Sequence, residues 1–429
     1  MAAFAGPMLW SLNHRLDAVN FFLADVQGGL GPFVSVFLVT AAGWTAAEVG
    51  IVLTIAGLIG ICLHIPAGAV IDAARFKRAI LIGAAVLLSA CALAIQQAPI
   101  LPVVFAADVV MAILGAIFAP TVAAITLGLV PQEALLPRLA RNVIWDRMGN
   151  IFIAAVAGAV GWWWTQRAIF FLVPVFTVAS TAAVMSIPGR RIDHQRARAG
   201  EFASGKPLGF WRLVTTNRSL LILGLIVASF HFASDAMLAL AGQKLALHYP
   251  GLETALTASL ILTVQLVTIP VAMAVGKTAK SWGVKPFLAI ACIALIARGI
   301  IFGAVSNAAI VIAAQILDGI AIGIWDTLLP LMLAHFVAGS GRYSASRGLL
   351  GMIQGVGGSL SNAAGGVVAT TAGYSAAFGM LALCAGLTLG LVALLPELHP
   401  EELTSPSSHS AGEGHSHHRK AGNSGRDLL

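Results

Sequence analysis

Gly68-Ala-Val-Ile-Asp72-Ala-Ala-Arg75-Phe-Lys77-Arg78 is a knot of charge between two long apolar runs, 47–71 and 78–97. The residues on either side are hydrophobic enough to sit in lipid. A turn carrying this much charge must lie outside the hydrocarbon, so it pins the chain to one membrane surface.

The composition agrees. Of the 429 residues, 58% are hydrophobic and only 10% charged, against about 25% charged in a soluble domain. Mean hydropathy is +0.90. A net charge of +7 would suggest nucleic acid in a soluble protein, but here the bases sit in short loops and read as membrane topology. Cys62, Cys91, Cys292 and Cys384 lie in apolar runs without paired spacing and read as buried thiols. The N-terminus lacks a cleavage-like segment, so the first span is expected to serve as its own targeting signal.

Apolar runs fall at about 17–42, 47–71, 78–97, 101–129, 148–166, 168–188, 219–243, 254–276, 285–305, 308–337, 347–371 and 375–396. They are too long and continuous for barrel strands, and a span needs about 20 apolar residues. The reading is an all-α integral membrane protein with twelve transmembrane helices. Trp162-Trp163-Trp164 marks an interfacial turn between the fifth and sixth. If the N-terminus is cytoplasmic, nearly all of the 25 Lys and Arg fall in cytoplasmic segments. The outer loops hold only Arg167 and Lys244, and Arg298 lies within a span. The positive-inside rule then places both termini in the cytoplasm.

The expected organisation is a six-helix bundle over 1–188, a basic cytoplasmic loop over 189–218, a second six-helix bundle over 219–396, and a Ser-, Gly- and His-rich tail over 397–429. Phe210-Trp211-Arg212 in the loop reads as an interfacial anchor or a plain linker. The two bundles look like repeats. Asp108 of the fourth run corresponds to Gln315 of the tenth, each followed by small residues at four-residue steps. Ile65-Pro66 corresponds to Ile269-Pro270, at a nearly constant offset.

The opening stretch resembles the loop signature of the major facilitator superfamily: a Gly, three residues, an Asp, then clustered Arg and Lys. Gly68, Asp72, Arg75, Lys77 and Arg78 match it. Gln315-x3-Gly319-x3-Gly323 resembles the superfamily's helix 4 motif, with Gln in place of its Arg. The resemblance implies two pseudo-symmetric six-helix bundles that rock about a midplane site. It also implies a gating role for the matched loop residues alone; Arg141 and Asp146, clustered at the cytoplasmic entry of the fifth run, are read as joining them in an inward-side latch. The proline of the proton-driven drug antiporters is missing from the fifth run, Gly149 to Gly161.

Ionisable groups inside spans mark functional sites by default. Gln315, Asp318 and Asp326 fall along one helical stripe, with Trp325 beside it as a stacking surface for a flat solute. His231 and Asp235 are one turn apart and can share a proton. Asp25 precedes a Gly-rich break, Gln27 to Pro32, suited to gating or coupling. Asp108 reads as a proton site or as the partner of Arg298, the one base within a span, which can alternatively bind an anionic solute. Gln354 belongs to a polar helix face. The alternative for each is a structural brace. No phosphate loop or catalytic elbow is present, and the tail histidines read as solvated rather than metal-binding.

The expected function is proton-coupled secondary transport of a small organic solute, with export by antiport as the first direction. Proton symport of an anionic or metal-chelated solute is the alternative, and a non-transporting sensor or assembly factor is the alternative class. The expected partners are solute, protons and bilayer, without nucleic acid or cofactor. The expected setting is a monomer in a bacterial inner membrane.

Overall fold

The computed structural model describes residues 6–24, 31–74, 76–189, 217–337 and 343–396, and is helical throughout these stretches. The helices are α1 Gly6–Ala24, α2 Gly31–Thr40, α3 Ala46–Ala73, α4 Lys77–Gln97, α5 Leu101–Leu129, α6 Gln132–Trp163, α7 Leu172–Ser186, α8 Arg218–His248, α9 Glu253–Trp282, α10 Lys285–Ala304, α11 Ala308–Phe336, α12 Tyr343–Ala372 and α13 Tyr374–Ala393. A 3₁₀ turn over Gln166–Phe171 leads into α7. Ten stretches among the described residues are long and apolar enough to cross a bilayer. The 30-residue α12 is not among them, because Gly, Ser, Gln and Asn dilute its apolar content. Side chains such as Val178, Leu225, Met273 and Leu383 are exposed, as lipid-facing positions must be.

Two boundaries move from those expected. The first helix begins at Gly6 instead of 17, and α6 begins at Gln132 instead of 148. In both places the charged residues continue the helix because buried partners neutralise them. The signature turn is tighter than the charge pattern suggests: α3 runs through Gly68 and Asp72 to Ala73, and α4 starts at Lys77. The side chains of Gly68 and Asp72 lie outside the described set. So do Asp25 and Arg75, the segment 190–216 with Phe210-Trp211-Arg212, and the tail from 397 with its histidines.

One apolar core gathers residues mainly from Leu16 to Ile187, with Ala258 of the other half. Two further cores gather residues mainly from Leu220 to Leu395. The two halves meet through α3 against α12, α6 against α9, and α2 against α8. We call the end that carries Trp44 and Trp162–Trp164 the tryptophan end, and the opposite one the arginine end. Closure at the tryptophan end uses small residues. A Cβ on Gly50 would fall on the Asn362 backbone, and one on Gly366 on the Ala46 backbone. Gly158 and Gly161 are filled by Ala258 and Thr254. Such residues let helix backbones approach closely. Hydrogen bonds cross the same seam. Gln243 Nε2 donates to Ser35 Oγ at 2.8 Å, Ala47 N to Thr370 Oγ1 at 2.9 Å, and Thr54 Oγ1 to the Ser359 carbonyl.

Helix ends are satisfied by charged side chains. Arg15 and Arg78 donate to the Ser186 and Met185 carbonyls at the C-terminus of α7. Orphan carbonyls there carry the negative end of the helix dipole. Lys244, expected in an outer loop, is instead buried on α8. Its Nζ donates to the Phe302 and Val305 carbonyls at 2.6 and 2.8 Å, closing α10. The ammonium replaces its hydration with two oriented dipoles, so one side chain serves both its own charge and a frayed helix end. Lys244→Met strands both carbonyls and is expected to cost about 1–3 kcal/mol, read as a lower unfolding midpoint in detergent.

Candidate functional site

The C-terminal half holds a polar cluster assembled from α8, α10 and α11. Arg298 of α10 is fully buried. Its Nη1 donates to Asp318 Oδ1 at 2.7 Å and its Nε to Gln315 Oε1 at 2.8 Å. The Phe302 ring centroid lies 5.2 Å from the guanidinium carbon, and Ser234 Oγ donates to Asp318 Oδ1 at 3.4 Å. A buried charge survives only when it is paired and hydrogen-bonded, and both members here lie on spans. Asp318 therefore takes the place that the sequence offered to Asp108. Asp108 sits half-buried on α5, and the pairing of Arg298 with Asp108 is not formed. Nη2 of Arg298 and Nε2 of Gln315 have no hydrogen-bond partner.

One helical turn brings His231 and Asp235 together, as expected from their spacing: His231 Nδ1 lies 3.0 Å from Asp235 Oδ1. The environments of the two differ. The His231 side chain is 11% exposed, whereas that of Asp235 is 40% exposed. Asp235 leans on Gly358 of α12, where a Cβ would strike its carboxylate. Glycine at 358 thus leaves room for the carboxylate to face the neighbouring helix. Gly358→Ala is expected to push Asp235 off His231 and lower solute flux several-fold with an unchanged unfolding midpoint, measured on reconstituted protein.

Trp325 does not offer a free stacking face. It is buried and stacked on Phe230, with centroids 4.2 Å apart and planes 5° apart. Its Nε1 and the Nε2 of His231 lack hydrogen-bond partners. The helical stripe on α11 splits accordingly. Gln315 and Asp318 reach Arg298 within the C-terminal half, whereas Asp326, about 12 Å further along the helix axis, reaches the other half. Asp326 accepts from Arg147 Nη2 of α6 at 2.7 Å, and Arg147 Nη1 donates to Gln265 Oε1 of α9 at 3.0 Å. Gln354 is half-buried on α12.

A second buried cluster lies at the arginine end of the N-terminal half. Asp17 of α1 accepts from Arg138 Nη2 at 2.7 Å and from Arg141 Nη2 at 2.7 Å and Nε at 3.0 Å. Arg138 also donates to Asn142 Oδ1 at 2.9 and 2.7 Å and to the Asn13 carbonyl at 3.1 Å. Arg141 thus ties α6 to α1; the Asp72 and Arg75 side chains expected to join it in a latch lie outside the described residues. Asp146 accepts from Asn150 Nδ2 within α6, Lys77 is buried in the first turn of α4, and Arg78 faces the end of α7. Asp17 escaped the sequence reading because it stood at the edge of an expected span. Arg138, Arg141 and Asn142 at i, i+3 and i+4 were the signal that the helix extends further back. No group of His, Cys, Asp or Glu suited to a metal occurs among the described residues.

Two helical bundles, each with its own buried polar cluster and bridged by Arg147 and Asp326, define a membrane carrier. The chain belongs to the Major Facilitator Superfamily, whose sequence model matches residues 16–345. It is 36% identical over 377 residues to an uncharacterised MFS-type transporter of Mycobacterium tuberculosis, covering 86% of this chain and 90% of that protein. In fold it is similar to the nucleoside transporter NupG (TM-score 0.72, 15% identity, 90% of this chain and 98% of that one). It is also similar to a bacterial homologue of the human lysosomal transporter Spinster (TM-score 0.70, 13% identity, 94% and 100%). The protein is a multi-pass membrane transporter.

Proposed function

We propose that this transporter moves a small organic solute by alternating access and couples that movement to protons through the His231–Asp235 pair. The pair itself is the supporting observation: an imidazole 3.0 Å from a carboxylate, with the carboxylate exposed beside the ion pair of Arg298 and Asp318. Arg298 and Asp318 are already spent on one another at 2.7 Å. The Asp235 carboxylate is reachable, its side chain 40% exposed. Rocking of the 1–188 bundle against the 219–396 bundle opens the two ends in turn. The arginine end is assigned to the cytoplasm of a bacterial inner membrane by its excess of Lys and Arg, and the monomer is the transporting unit.

Export by proton exchange is the first direction. Uptake of an anionic solute on Arg298 finds less support, because the guanidinium is sealed behind Asp318. The test uses purified protein in liposomes with a pH gradient imposed across the membrane. Solutes selected by a thermal-shift screen are expected to move against the proton flow. Flux that ignores the gradient overturns proton coupling, and flux along the proton flow overturns the direction.

A further inference from the structure

Among the described residues, Arg147 and Asp326 form the ion pair that joins the N-terminal half to the C-terminal half. We infer that these two side chains are a two-point receptor for a zwitterionic solute: Arg147 takes its anionic group and Asp326 its cationic group. The inference rests on the transport reading above and names the class of solute carried.

Arg147 belongs to α6 and Asp326 to α11, so the pair lies across the gap that alternating access must widen and narrow. The two side chains are 30% and 46% exposed. An ion pair this accessible contributes little net stability, so it is a poor lock between two halves and is easily displaced by competing charges. Each partner is also held from behind. Arg147 keeps Gln265 through Nη1, which aims the guanidinium while Nη2 is exchanged. Asp326 lies within electrostatic reach of His231 and Arg347.

A solute entering this gap must part the two charges. A neutral solute offers neither a replacement, and a singly charged one replaces only one of the two partners. A molecule with one anionic and one cationic group satisfies both while it separates them. Guanidinium against carboxylate is a directional, charge-assisted contact, so the anionic end is fixed in orientation and the ammonium end follows.

The test is thermal stabilisation of the purified protein by four probe classes: α-amino acids, short monocarboxylates, alkylamines and neutral sugars. Amino acids are expected to stabilise the protein, with affinity at least tenfold weaker in Arg147→Gln and in Asp326→Asn. Gln265→Leu, which leaves the ion pair intact but frees the guanidinium, is expected to weaken the same probe several-fold. The exchanged pair Arg147→Asp with Asp326→Arg is expected to recover binding, because a zwitterion can turn around. Stabilisation by sugars, monocarboxylates or amines alone overturns the inference. So does amino-acid affinity that survives Arg147→Gln, or the absence of stabilisation by every class. Amino-acid transport that is independent of a pH gradient overturns the proton reading and leaves this inference standing.

Discussion

Arg298→Leu is expected to destabilise the protein by about 3–5 kcal/mol, visible as a large drop in unfolding midpoint and in the yield of monodisperse protein. The size follows from burial. Arg298 is 0% exposed and its pair is 2.7 Å long. Removing the guanidinium leaves Asp318 in a dry site with only the 3.4 Å contact from Ser234 and strands Gln315 Oε1. The double variant Arg298→Leu with Asp318→Leu is expected to regain most of the loss, since replacing a whole buried pair by apolar groups is often neutral. If the double variant is as unstable as the single one, the pair is not what stabilises this seam of α10 and α11. Arg298→Lys is expected to behave as a partial loss. One ammonium does not reproduce the planar fork that holds Gln315 and Asp318 together.

Asp235→Asn is expected to reduce pH-gradient-driven solute movement to the level of protein-free liposomes, while exchange of labelled for unlabelled solute at equal pH continues. The amide keeps the shape of the side chain and its place against Gly358, but it takes up no proton. The imidazole of His231 then loses its carboxylate partner at 3.0 Å. Loss of both activities together would point to a role in folding or solute binding and would sink the proton assignment. Asp318→Asn is the informative contrast. Its effect is expected mainly on stability, because that carboxylate is already committed to Arg298.

The fold was legible in the chain to an unusual depth. Apolar run length, the tryptophan cluster and the placement of Lys and Arg define the helices and their order. Those signals exist because lipid leaves a backbone few ways to satisfy its polar groups. The residues around Gly68 to Arg78 carried the superfamily resemblance correctly, although they are mostly helix instead of loop. The errors lie where charge continues a helix. Asp17, Arg138 and Arg141 were read as edges and loops because their mutual neutralisation crosses about 120 residues of sequence. Lys244 was read as solvent-facing because the carbonyls that receive it belong to α10 and its end.

The candidate site was legible only where it is local. His231 and Asp235 sit one turn apart, so helical geometry alone brings them together. Every longer-range pairing had to wait for the packing of one helix on another. Asp318, rather than Asp108, neutralises Arg298. Phe230 occupies the face of Trp325 that looked free. Asp326, about two turns beyond the cluster on its own helix, reaches Arg147 instead. By itself the sequence determined that the chain spans a membrane, as which kind of carrier, and which few polar residues lie within its helices. The tertiary structure alone decided which charges are buried against one another and which stay exposed. Pairing at 2.7 Å between different helices depends on their relative rotation, which no single helix encodes.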